Sequence, residues 1–419
     1  MSIHQPFRIN KYLPIVIIYF FFNGFLLPHG LLYTALLTPL FLLWLARFPS
    51  FPYILYFFLL LIPFSIVHIL HGVNLFYYAK SSALLFTVYV FSMACYEFLN
   101  QCHSIRTLYK NIIVLNFFFI IIALLALYSH SLSQIFWFSN SITAGSQSQK
   151  RLQMLTYEPS YYSLLLAPIV IYYYLKMIAL ELPNARIILV LVSLPLLLSL
   201  SFGVMLALSF ALILTVIYGI SRFFPDRNFL LYILVSAIIL LAVLVVCMEL
   251  FPNNILFLRV SNVFAGKDTS FKGRTFDSFY LAWQIASEKS IYFGCGPGQV
   301  KLIGLDYFTK FYNNTSFTVE DIGIPNAVAD TFATFGFIGL FLRFSLQFYF
   351  FFATRVYGNY YRLSLFIFIF IYQFTGSFLA NIAEYVIWIM AFHPGIFEEF
   401  DKISLHIRNS QLRDRSSVV

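Results

Sequence analysis

Charge is what this sequence has least of: 10% of its residues are Asp, Glu, Lys or Arg, against roughly 25% in an ordinary soluble domain. So little charge cannot cover a water-exposed surface, which excludes a free soluble domain. Cysteine is scarce as well. Cys95, Cys102, Cys247 and Cys295 show neither metal-ligand spacing nor a disulfide framework, so they read as free thiols, with a Cys247–Cys295 bridge as the weaker alternative. No nucleotide fingerprint is present. Gly294, Gly296 and Gly298 are spaced G-x-G-x-G, with no strand before them and no Lys-Ser/Thr pair after, and with Pro297 they read as a tight turn. There is no internal repeat. No small-residue cleavage site follows the first apolar run, Leu13 to Leu27, which is therefore expected to be a retained helix. Lys and Arg outnumber Asp and Glu by 26 to 17, but they are scattered between apolar runs, which argues against nucleic acid as a partner.

What is abundant is apolar sequence, 61% of the chain, in runs long enough to cross a hydrocarbon core of about 30 Å as helices. The expected fold is an all-α polytopic membrane protein, because a barrel would need short alternating strands. We place about twelve spans, at 12–28, 29–46, 51–70, 75–99, 111–128, 160–180, 187–201, 203–221, 229–250, 326–350, 363–380 and 382–397. Residues 1–250 then hold nine spans and a smaller outer loop at 129–159. A large outer loop follows at 251–325, the last three spans fill 326–397, and 398–419 form a tail. With the N-terminus in the cytoplasm, Arg47, Arg106, Lys110, Lys176, Arg186, Arg222, Arg227, Arg355, Arg362 and Lys402 all fall inside. The opposite connections near Pro28, Gly72, Ser201 and Asn381 carry no basic residue, so both termini are expected inside.

The two outer loops break the charge rule, and their length and aromatic content mark them as functional. In KGRTFDSFYLAWQ, residues 272–284, the three- and four-residue steps of Phe276, Phe279, Tyr280 and Trp283 predict an interfacial amphipathic helix from Arg274 to Glu288. Its aromatic face suits the headgroup boundary. Gly273 precedes it, so free helix amides beside Arg274 would suit an anion, with Lys267 and Lys272 adding charge; the plainer alternative pairs Arg274 with Asp277. In QKRLQMLTYEPSYYS, residues 149–163, Lys150 and Arg151 reach the same membrane face. There Glu158, Pro159 and Ser160 open a helix, with Glu158 either a cap or a functional carboxylate. Lys80, about 9 Å along its span from the outer end, is a functional candidate or snorkels to the interface. Arg343 is expected to snorkel at the cytoplasmic end of its span, and Asn326 and Asp330 open that span from outside.

This arrangement resembles the O-antigen polymerase and ligase superfamily of bacterial inner-membrane glycosyltransferases. The resemblance is carried by YEPSYYS at 157–163, the Ser-rich break LLSLSFGVMLAL at 197–208, the loop residues Gly273, Arg274, Thr275 and Trp283 followed by the glycines, and PNAVADTFATFGFIGL at 325–340. It implies a GT-C-like fold in the inner membrane with its active face in the periplasm. It also implies an undecaprenyl-diphosphate-linked oligosaccharide as donor, no cofactor or metal, and a chain-length regulator and a flippase as pathway partners. Carried over, Arg274, Arg151, Lys150, Lys80 and Lys272 become diphosphate-binding candidates, while Arg274, Glu158 and Asp330 become catalytic ones. Ligases of the superfamily place a histidine before the span after the large loop, but residues 251–330 contain none, which favours a polymerase. The alternatives are a ligase transferring glycan to lipid A core, a flippase or other transporter, and a structural partner of an export complex.

Overall fold

A helix satisfies its own backbone hydrogen bonds, and in this apolar chain nearly every ordered segment is one. The computed structural model describes residues 13–27, 31–102, 104–140, 149–179, 185–219, 250, 261–263, 265–266 and 268–402. All of span nine (229–250) but its last residue, together with Lys267, Cys247 and nearly all of the tail, lies outside them. The opening helices are short: α1 (Leu13–Phe20), α2 (Tyr33–Leu36) and α3 (Thr38–Leu45). Then come α4 (Leu55–Leu70), α5 (Leu75–Gln101), α6 (Ile105–Leu125) and α7 (His130–Phe136). An antiparallel hairpin, β1 (Trp137–Asn140) with β2 (Gln149–Leu152), sets Trp137 opposite Leu152. It leads into α8 (Pro159–Ala179), α9 (Ala185–Ser199) and α10 (Phe202–Tyr218).

Among the described residues, five helices are long and apolar enough to cross a membrane: Phe51–Leu70, Leu75–Gln101, Ile105–Tyr128, Pro159–Ile178 and Ala327–Ala353. The expected count of about twelve is thereby overturned. The apolar segments Ile187–Ser199, Phe202–Tyr218, Tyr360–Tyr372 and Ile382–Phe392 are shorter, and at 1.5 Å per residue a helix of 13 residues, like Tyr360–Tyr372, spans only about 20 Å. Hydropathy runs on through Asn23–Gly24 and through Gln373–Ala380, where the helices have already stopped. Phe21, Phe22, Phe25, Phe374, Phe378 and Leu379 around these breaks made the runs look longer than the helices are. What stands is a membrane-associated, many-helix architecture. Its central helix is α8, with 72% of its apolar window buried inside the protein against 17% for Phe51–Leu70, which faces outward.

The segment after Asp268 forms a second helical layer with its own core. It comprises α11 (Thr269–Arg274), α12 (Phe276–Lys289) and α13 (Gln299–Tyr312), and it packs on α14 (Ala327–Ala353). Leu281, Ile285, Cys295, Phe308, Ile322 and Phe332 make that core. The aromatic face read from the sequence is the exposed one, with Phe276, Tyr280 and Trp283 each about half or more open, while Asp277 and Ser278 on the other face are buried. The expected single helix is broken at Thr275, whose ψ of −93° is non-helical, so Arg274 ends α11 instead of opening the amphipathic helix. Ser278 fixes the break by donating its hydroxyl to the Gly273 carbonyl at 2.6 Å. The remaining helices, α15 (Tyr360–Tyr372) and α16 (Ile382–Phe392), close the bundle beside α8 and α10.

The glycine turn does more than reverse the chain. Within α14, Gly336 has φ 65° and ψ −162°, so the helix is interrupted there. The turn fills the interruption: the amides of Cys295 and Gly296 donate to the carbonyls of Ala333 and Thr334 at 2.9 and 3.0 Å. Those of Phe337 and Ile338 donate to Ile291 and Tyr292, both at 3.1 Å. Close approach requires glycine on both sides, since a Cβ on Gly294 would lie 2.4 Å from the Thr334 carbonyl carbon and one on Gly336 2.3 Å from Tyr292. The far side of the turn is pinned to α4 and α5. His68 Nε2 donates to the Phe293 carbonyl at 2.8 Å, and Gln299 bonds both the amide and the carbonyl of Asn74.

Gly294→Ala is expected to cost about 1–3 kcal/mol or more, from positive-φ strain plus the backbone clash. Gly358→Ala, where a Cβ meets nothing within 4 Å, is expected to change stability by less than about 0.5 kcal/mol. Thermal unfolding of the two purified variants in detergent compares them directly.

Candidate functional site

One buried asparagine gathers the site. Asn326 caps α14 by accepting from the Ala329 amide at 2.9 Å, and its Nδ2 donates to the carbonyls of Arg274 at 2.9 Å and Phe374 at 2.6 Å. The end of α11, the start of α14 and the end of α15 are thereby held at one point. Asp330, one turn into α14, accepts from the Leu379 amide at 3.0 Å, and the Ala327 amide donates to Gly376. The irregular segment 373–381 is thus laced along the mouth of α14.

On this frame sits a cleft. Its walls are Tyr157, Glu158, Ser160 and Tyr161 from the turn into α8, Arg274 and Pro325 from the second layer, and Tyr372, Ser377, Phe378 and Asn381 from the α15–α16 connection. Its free space is about 310 Å³, counting the open mouth. Arg274 and Glu158 meet across it with Nη2 and Oε1 3.5 Å apart, their side chains 29% and 30% exposed. Neither is sequestered from an incoming ligand. Asp277 is engaged elsewhere, accepting from the Tyr312 hydroxyl at 3.1 Å, so the plainer Arg274–Asp277 pairing gives way to Arg274–Glu158.

The aromatic wall is fixed from behind. Tyr157 and Tyr161 lie with ring centroids 4.7 Å apart, and Asn23 donates to the Tyr161 hydroxyl at 2.6 Å. Burial raises the Tyr157 phenol well above its ordinary pKa, so it stays protonated. Chemically, the cleft offers one guanidinium suited to phosphate oxygens, one carboxylate able to take a proton, and aromatic and hydroxyl groups around them.

The other candidates are dispersed. Arg151, on β2, donates through Nε to the Ser199 carbonyl at 3.1 Å, at the Ser-rich break between α9 and α10. Lys150 is exposed and donates to Ser133. Lys272 on α11 and Lys80 on α5 are exposed, and none of these four lines the cleft. Asp330 shapes the wall through Leu379 and is not a lining residue.

Arg343 does not snorkel. Its side chain is 10% exposed and turned inward, pairing with Glu384 and donating to Gln373 at 3.0 Å and Thr331 at 3.1 Å. Glu384, fully buried, also accepts from Trp388 and from the cleft residue Ser377 at 2.6 Å. Sequence reasoning missed Tyr372, Ser377, Phe378 and Asn381. The available signal was the run of polar and small residues Gln373, Thr375, Gly376 and Ser377 inside an apolar stretch.

Among the described residues no group of three or more His, Cys, Asp or Glu side chains is placed to hold a metal ion. No family model matches the sequence, and no curated protein matches it closely enough to count as a relative.

Asn326→Ala removes a cap and two donors to buried carbonyls, for an expected loss of about 2 kcal/mol or more. Asn326→Asp keeps the cap but sets a buried carboxylate oxygen against those two carbonyls, so its melting temperature in detergent should fall at least as far as that of the alanine variant.

Proposed function

We propose that the chain is an inner-membrane glycosyltransferase. In this reading it joins undecaprenyl-diphosphate-linked oligosaccharide repeat units into a surface polysaccharide at its periplasmic face, acting as an O-antigen polymerase. The observation that carries the reading is the convergence of Arg274 and Glu158, from two segments far apart in the sequence, at the mouth of one cleft. In the resting pair each neutralises the other. When the donor's diphosphate enters, Arg274 turns to its oxygens and the Glu158 carboxylate is released to act as base. The acceptor hydroxyl oxygen then bonds to the donor's anomeric carbon as the bond from that carbon to the diphosphate oxygen breaks. The hydroxyl proton passes to Glu158. The electron pair leaves with undecaprenyl diphosphate, whose added negative charge faces Arg274.

The distribution of charge supports the orientation. Arg106, Lys176, Arg355, Arg362 and Lys402 sit at the helix ends opposite the cleft, as expected for a cytoplasmic side. A polymerase is favoured over a ligase because no histidine stands among the cleft-lining residues. The exposed aromatic face of α12 suits the headgroup boundary of the bilayer.

Deleting the gene is expected to leave lipopolysaccharide bearing core plus one repeat unit on a gel. Complete loss of repeats would point instead to ligation or flipping. With normal membrane levels of protein, Arg274→Ala should lower polymer output by about a hundredfold, and Glu158→Gln by a similar factor. Wild-type chain lengths from the Arg274 variant would refute the assignment.

A further inference from the structure

Ser377 is the one cleft residue held in a conformation that serine rarely adopts. Its φ is 71°, in the left-handed region, although glycine occupies the position just before it. Strain of this kind persists where the surroundings hold it, and it concentrates at working sites. Here the hold is chemical. The Ser377 hydroxyl donates to Glu384 Oε2 at 2.6 Å, and Glu384 accepts only, being paired with Arg343 and further bonded by the Trp388 indole. Gln373, which also receives Arg343, exchanges bonds with Gln347, so the carboxylate has little freedom to turn away.

The polarity of Ser377 follows. With its only proton committed to a buried carboxylate, Oγ has nothing left but lone pairs, and any further bond it makes is as an acceptor. It stands on the cleft wall with Arg274, Glu158 and Tyr372. An acceptor in that place repels phosphate oxygens, which are acceptors themselves, and suits a group that must donate. We propose that Ser377 is a specificity-determining residue that receives a hydrogen bond from a sugar hydroxyl of the acceptor glycan, while Arg274 takes the donor's diphosphate. The inference rests on the glycosyltransferase reading and adds to it a division of the cleft into an anion side and a polyol side. Glu384 and Arg343 act on substrate only through Ser377.

The test uses the full-length protein in detergent and lipid-linked repeat units extracted from cells that lack it. Ser377→Gly removes both the hydroxyl and the strain, whereas Ser377→Ala removes the hydroxyl and keeps the strain. Both are expected to raise KM for the repeat unit about three- to tenfold, the worth of one neutral hydrogen bond, with kcat within about twofold. Supplying more repeat unit should restore chain length to both variants but not to Arg274→Ala. An unchanged KM in either variant overturns the proposal, and so does failure of both to accumulate as folded protein, which would make Ser377 a prop for Glu384. If Arg274→Ala keeps wild-type turnover, the glycosyltransferase reading falls. If Arg274→Ala is inactive and the Ser377 variants match wild type, only the polyol assignment falls.

Discussion

A backbone amide or carbonyl surrounded by hydrocarbon must find a partner inside the protein, and leaving one unmet costs several kcal/mol. At Gly336 the 27-residue helix α14 gives up its own ladder. Four hydrogen bonds to residues 291–296 replace the lost ones. The Arg274 side of the cleft is built on that exchange. The second layer is docked where α14 is interrupted, α14 begins at the Asn326 that holds the Arg274 carbonyl, and Arg274 reaches Glu158 from there. Had α14 run unbroken, α12 and α13 would have had no fixed register against it.

Two arginines within the apolar body are handled in the same way, by pairing with groups inside the protein. Arg343 spends its donors on Glu384, Gln373 and Thr331. At the opposite end Arg362 caps two helix ends at once, donating to the carbonyls of Thr354, Ala391 and Phe392. A buried ion pair of this kind contributes little net stability, because desolvation offsets most of the attraction, but breaking it by removing one partner is costly. Its value here lies in geometry. Residues 373–381 have no regular structure of their own, yet they are held by Asn326, Asp330 and Glu384 from three directions.

The sequence spoke clearly where a local rule was enough. Composition announced helices in a membrane, and residues 51–70 and 75–101 form long helices close to where hydropathy put them. The aromatic face of α12 followed from spacing alone, and Arg274 and Glu158 were picked out singly by charge and position. Their contact was not legible, because it depends on Asn326 and on the docking of the second layer. The helix count failed for a definable reason: hydropathy measures apolarity, and the breaks at 21–27 and 373–381 carry Phe and Leu among their polar and small residues, so the runs read on past the helix ends. Arg343 was misplaced because sequence position gives depth along a helix but not the face on which a buried carboxylate waits. The glycine turn was recognised as a turn, and its partner lay forty residues downstream in a segment that looked like continuous helix.

The order of synthesis gives the filled break at Gly336 a temporal meaning. The ribosome makes residues 291–296 before it makes Ala333, Thr334 and Gly336. The filler therefore exists before the gap. When α14 enters the bilayer its interrupted ladder can be completed at once by a turn already pinned to α4 and α5 through His68 and Gln299. The first half of the chain thus acts as a template for the second, and the cleft is complete only after α15 and α16, made later still, bring Tyr372, Ser377, Phe378 and Asn381 to its wall.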